Sequence, residues 1–239
     1  MPLFEVSKIS EMGASPEIAS FANEGIDKLR ARLVNEIAVS VLPNRIVKSM
    51  VQVFFQGHIR RSLMLIEGGY EAYQSGRGLV VYICARAIYE TVACVLDFCD
   101  KLTDHLVAGD FIKTCHFLYA RTHAARMEGL TGDVDGFGNT AINILTQIDR
   151  LSKHLPNLRE DYEFLSERAH PNALGALHFF SEDESTNEDE GLYKFSNGTE
   201  QKPSLSILIS AGRMLGLMEH GMSVMEAKLA EHHKLRNRR

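Results

Sequence analysis

LVVYICARAIYETVACVLDFCDKL, Leu79–Leu102, is apolar almost all the way round a helical wheel. A helix of that kind is enclosed by other helices, not laid on a surface. Its most apolar part, Leu79 to Cys99, still carries Arg86, Glu90 and Asp97. Charges at that depth argue against a membrane span, so no membrane partner is expected. The fold class that follows is all-α: a helical bundle built around this segment.

The flanking sequence supplies the other helices. Residues 1–14 show no period and read as a flexible N-terminal arm. Ser15 followed by Pro16 is a helix start. Ile18, Ala22, Ile26, Leu29, Leu33, Ile37 and Val41 then predict a helix of about seven turns that Pro43 ends. A second helical stretch runs from Ile46 and Phe54 past Gly57 to Tyr73, with Gly68-Gly69 weakening its last turns. Ser75 to Gly78 is a turn. Beyond the central segment, Asp110 caps a helix carrying Phe111, Cys115, Leu118 and Thr122, and Glu128 to Gly138 is a loop. Asn139 or Thr140 opens the next helix, with Ala141, Ile144, Ile148 and Leu151 on one face. Asn157 with Glu160 is a capping-box pattern, starting a helix that ends at His170 before Pro171.

The sequence then changes character. Ala176–Phe180 and Gly191–Phe195 read as strands of a small hairpin, residues 176–196, around the acidic run SEDESTNEDE. Ser204 starts the last long helix, which is expected to pack on the first. The total is six or seven helices in a single domain, residues 15–235, with a basic tail at 236–239. Gly212 and Gly216 on one side of that helix, and Met214, Met218, Met222 and Met225 on others, offer more apolar surface than one neighbour needs. A homo-oligomer, simplest as a homodimer, is therefore expected.

Composition narrows the class further. The 239 residues carry a formal net charge of −5, so nothing global announces nucleic-acid binding, although RNA or protein remains a partner class to test. Cys84, Cys94, Cys99 and Cys115 form no CxxC, which fits reduced thiols in a cytoplasmic protein. No basic segment followed by an apolar one marks the N-terminus as a signal peptide.

Polar residues inside apolar sequence mark the candidate site. Arg86 and Glu90 share a helix face and are read as an ion pair, fixing register or lining a polar pocket. Tyr162, Arg168, His170 and Asn172 gather near one helix end. Tyr162 stands about 12 Å before His170 along the axis and so serves Arg86 and Glu90 instead. The ligand-binding set is thus Arg86, Glu90, Tyr162, His170 and Asn172. His170, at the negative end of its helix and sharing a face with Glu163 and Glu167, is read as a cap tied to Glu167. Its replacement by alanine is expected to cost about 1 kcal/mol or more. No cofactor is expected and no metal ligands are assigned. Glu167 and His170 have the Glu-x-x-His spacing of carboxylate metal sites, with Glu90 as a further ligand, but no second copy exists. Asp133 to Gly136 is only a fragment of a calcium loop. No Gly-x-Ser-x-Gly or phosphate-loop motif is present. Whether the chain is an enzyme stays open.

The arrangement of Arg86/Glu90 with Tyr162, Leu165, Ser166, His170, Pro171 and Asn172 resembles a group of bacterial all-helical proteins near the HEPN superfamily. The resemblance spans roughly Leu63 to Gly175. It implies a helical fold and, for many such proteins, a non-catalytic binding or dimerisation module in stress or defence. Members that are ribonucleases carry an arginine followed a few residues later by a histidine at a helix end. The candidate pairs here are Arg168/His170, at a helix end but separated by only one residue where the family has four to six, and Arg213/His220, with a six-residue gap but in mid-helix and with Met214 where a polar residue usually follows the arginine. The alternatives are therefore a metal-independent endoribonuclease using one of those pairs, or a carboxylate-bridged metal protein.

Overall fold

The computed structural model describes residues 2–9, 15–39, 42–123, 142–184, 192–196 and 205–236. In chain order the elements are α1 (Val6–Ile9), α2 (Pro16–Ala31), α3 (Pro43–Gln74), α4 (Gly78–Ala108), α5 (Phe111–His123), α6 (Ile144–Ser152), α7 (Leu158–Ala169), α8 (His178–Phe180), β1 (Ser181–Asp183), β2 (Tyr193–Phe195) and α9 (Leu205–Arg236). The fold is all-α with one small antiparallel hairpin.

The apolar circumference of α4 decides the packing. Val81, Ile88, Val92, Val95, Phe98 and Leu102 are buried, and α3, α5, α6, α7 and α9 all pack on it. By length and hydropathy alone α4 could cross a bilayer, yet 50% of its most apolar window is buried inside the protein. Helix α3 runs antiparallel to it. Phe54 stacks on Phe98 at 3.9 Å, Arg61 Nε donates to Thr91 Oγ1 at 3.0 Å, and Gly69 faces Cys84. Helix α9 runs parallel to it, from the Tyr89–Ser210 contact through Gly221 against Leu96 to Lys228 on Thr103.

The first and last long helices do pack together, and glycine sets their separation. A Cβ on Gly25 would stand 2.5 Å from Gly216 Cα, so the two backbones touch. Met214, Met218, Met222 and Met225 are all core. The apolar excess expected on α9 is thus buried within the chain, and self-association cannot rest on it.

Several element ends differ from expectation. Helix α2 stops at Ala31, about three turns short of Pro43. Arg32 is held by α9, with Nη2 2.9 Å from Glu219 Oε1 and Nη1 2.8 Å from Glu226 Oε2. Gln56 of α3 then takes the main chain: its Nε2 donates to Arg32 O at 2.7 Å and its Oε1 accepts from Val34 N at 3.1 Å. Bonds from other helices override a periodicity that counts apolar residues alone. Helix α3 is continuous through Gly57 and Gly68-Gly69. Ser15 caps α2 as read, and Asp110 Oδ1 accepts from Lys113 N at 3.0 Å. Asn143 caps α6, whereas Asn139, Thr140, Ala141 and the loop 128–138 lie outside the described residues. Asn157 makes no capping box. It adopts φ 65°, a left-handed turn that asparagine tolerates, directly after Pro156.

The hairpin is real but its first strand is shifted. Residues 173–177 form a π-helical turn leading into α8, and β1 begins only at Ser181, pairing with Phe195. Asn172 causes the shift by accepting Gly175 N on Oδ1 at 3.0 Å and Ala176 N on its carbonyl at 2.9 Å. Ser204 and the residues after Arg236 lie outside the described residues.

Candidate functional site: a polar seam along the central helix

Tyr82, Arg86, Glu90, Cys94 and Asp97 recur at three- and four-residue steps, so α4 presents them as one stripe. That stripe faces α7, α6 and α5. Tyr82, Arg86, Glu90 and Asp97 meet polar or aromatic partners there, and Cys94 meets His58 of α3.

The half against α7 is the cluster expected from sequence. Arg86 Nη2 lies 3.1 Å from Glu90 Oε1, and Arg86 Nε donates to Ser166 Oγ at 3.1 Å. The buried Tyr162 hydroxyl donates to Glu90 Oε1 at 2.9 Å and accepts from Arg86 Nη2 at 3.3 Å. The guanidinium also lies 5.7 Å from the Tyr162 ring centroid. Each charged group is bonded to its neighbours, and the pair keeps 30% and 24% side-chain exposure. Beside it, Tyr89 donates to Asp161 Oδ2 at 3.3 Å and contacts Ser210 Oγ at 2.9 Å. Burial, with the Asp161 charge, pushes that phenol up to about 12, so it stays protonated and acts as a donor.

The half against α5 and α6 was not foreseen. Asp97 is buried and accepts from two arginines: Arg121 Nη2 on Oδ2, and Arg150 Nη1 on Oδ1 at 2.9 Å. Arg121 Nε is shielded from solvent and has no hydrogen-bond partner among the described residues. One turn back, His58 Nδ1 lies 2.8 Å from the Phe54 carbonyl. A carbonyl only accepts, so Nδ1 carries the proton and Nε2 is left as acceptor. Nε2 is 3.7 Å from Cys94 Sγ, so the thiol donates to it. Burial lowers the His58 pKa and raises that of Cys94, and both are neutral. The pair has the layout of a nucleophile and its base without the thiolate that nucleophilic attack needs. The other three cysteines are also free, and burial pushes the Cys99 thiol up to about 12. The one sequence signal for this half was Asp97, a carboxylate deep in an apolar helix. Nothing in local spacing pointed to Arg121 or Arg150.

The remaining sequence candidates play other parts. His170 is the C-cap of α7 as read, with φ −78°, ψ 149° and its N–H on Ser166 O. Its ring is exposed and makes no side-chain hydrogen bond among the described residues. Glu167 binds Asn172 instead, at 2.7 Å, so the expected His170–Glu167 tie is not made. Asn172 is thereby a turn-former. Arg168 lies 3.6 Å over the Phe164 ring, with Nη1 on Phe164 O. Arg213 and His220 are both exposed on α9, about two turns apart. No three His, Cys, Asp or Glu groups gather to hold a metal among the described residues, so Glu90 is not joined by Glu167 and His170. Comparison with protein-family models, curated proteins and solved structures gives no match.

Proposed function

We propose that the chain is a non-catalytic helical interaction module of a bacterial stress or defence system, cytoplasmic and HEPN-like, that pairs with a second copy of itself. The carrying observation is the hairpin end. Tyr193 and Phe195, alternate residues on one face of β2, are 46% and 72% exposed. Two strands of three residues have little stability of their own, and an apolar surface of this kind marks an interaction site. The polar seam supports the non-catalytic part. Arg86, Glu90 and Tyr162 bind one another, and Cys94 and His58 are neutral.

Charge favours a second copy as the occupant. The run from Glu182 to Glu190 is acidic, and the chain end from Lys234 to Arg239 is basic. Phe179 packs on Tyr82 near the start of α4, while Lys228 of α9 reaches Thr103 near its end. The two runs are of opposite sign, so an antiparallel pair that brings the acidic run of one copy to the basic run of the other gains electrostatic complementarity. Light scattering after size exclusion at micromolar concentration is expected to give a dimer that weakens with salt and with Tyr193→Ser/Phe195→Ser. A monomer at every concentration refutes the pairing.

One observation favours the ribonuclease reading: Arg213 and His220 are exposed along the same face of α9. RNA cleavage in EDTA that disappears in Arg213→Ala/His220→Ala would establish it. No cleavage is expected.

A further inference from the structure

We propose that the junction of α4, α5 and α6 binds a phosphate-type oxyanion, with Arg121 and Arg150 as its ligands. The observation behind this is an imbalance. Two guanidiniums share the single Asp97 carboxylate, and a third, Arg61, lies close enough to act electrostatically on both Cys94 and His58. Among the described residues, two guanidiniums thus meet on one carboxylate, in a chain whose formal net charge is −5.

The donors point the same way. Arg121 has 10% of its side chain exposed and an Nε with no acceptor among the described residues. A buried N–H without an acceptor is rare in folded proteins and calls for a partner. Arg150 holds Asp97 through Nη1 alone, and its side chain is 44% exposed, which leaves its other nitrogens open to solvent. A guanidinium is a planar fork matched to a tetrahedral oxyanion. Asp97 fixes both forks side by side, so the anion meets donors that are already oriented.

The same chemistry is offered by a free phosphate compound or by the backbone of RNA. The site lies on α4–α6, away from the hairpin, and a monomer or a dimer carries it alike. Its outcome is therefore separate from that of the pairing proposed above.

Pyrophosphate and a single-stranded RNA oligonucleotide are the probes, titrated calorimetrically into the intact protein. Arg150→Gln tests the site, because a half-exposed side chain can be replaced without unfolding the core. Arg159→Gln, an exposed arginine held by Asp149 and Glu163, is the control. Saturable binding is expected that weakens about tenfold in Arg150→Gln, the loss of one charge-assisted bond, and is unchanged in Arg159→Gln. Binding of both probes in competition identifies a small-anion site that RNA also reaches. Binding of RNA alone with the same Arg150 dependence identifies the backbone as the source. The proposal is overturned if neither probe binds at millimolar concentration, or if both variants weaken binding equally.

Discussion

The two halves of the α4 seam lie on one helix face and use similar residues, yet they solve opposite problems. Against α7, Arg86 and Glu90 supply both signs from the same helix, and neutral Tyr162 and Ser166 complete the bonding. That half is balanced, partly wet and tolerant. Against α5 and α6, α4 supplies one carboxylate and its neighbours supply cations. That half buries its carboxylate and Arg121, leaves Arg150 at the surface, and holds a donor in excess. A charge paired within its own helix stabilises a seam, while a charge paired only across helices makes packing depend on it.

The sharpest way to break this comparison is Asp97→Asn. It leaves Arg121 buried with no counter-charge, and a loss of about 3–5 kcal/mol in chemical denaturation is expected. A loss under about 1 kcal/mol would mean that the two halves are equivalent. Tyr162→Phe probes the balanced half. It removes the hydroxyl between Glu90 and Arg86, but these partners keep each other and reach water. The expected cost is about 1 kcal/mol. A cost as large as that of Asp97→Asn would erase the distinction.

Acid sharpens the comparison without removing an atom. His58 has its pKa held below the ordinary 6.5, chiefly by burial. The unfolded chain therefore takes up a proton at a higher pH than the folded one. Stability from this group is present above pH 6.5 and falls as the pH drops below that value. Thermal midpoints measured from pH 7.5 down to 5.5 should fall more steeply for the parent than for His58→Gln. Parallel slopes would show that His58 is not neutral in the fold.

Legibility followed the range of the interaction. The burial of α4 was readable because it is a property of one segment, and Arg86 with Glu90 was readable because four residues on a helix fix a distance. Tyr162 was placed correctly by the length of its own helix. Asp97 stood out, but its partners come from α5 and α6, and no spacing links residues 97, 121 and 150. Element ends failed for the same reason. Gln56 reaches the chain after Arg32 from another helix, and Asn172 re-routes the chain before the hairpin. The methionines of α9 looked surplus because a sequence does not show how many neighbours a helix will have.

His170 was over-read, and the smallest predicted effect concerns it. The residue does end α7, but Pro171 sets that stop by driving the preceding backbone out of the helical region, whatever the side chain at 170. The imidazole is exposed, and Glu167, its expected partner, is engaged by Asn172. What is crowded at this corner is main chain: a Cβ on Gly175 would stand 1.9 Å from His170 O. The turn therefore depends on residue 175 having no side chain, not on residue 170 having one. His170→Ala should shift stability by less than about 0.5 kcal/mol, the range of an exposed substitution. It should leave the thermal midpoint within a degree or so of the parent. A loss of 1 kcal/mol or more would mean that the ring has a partner in solution and would extend the polar seam to the end of α7.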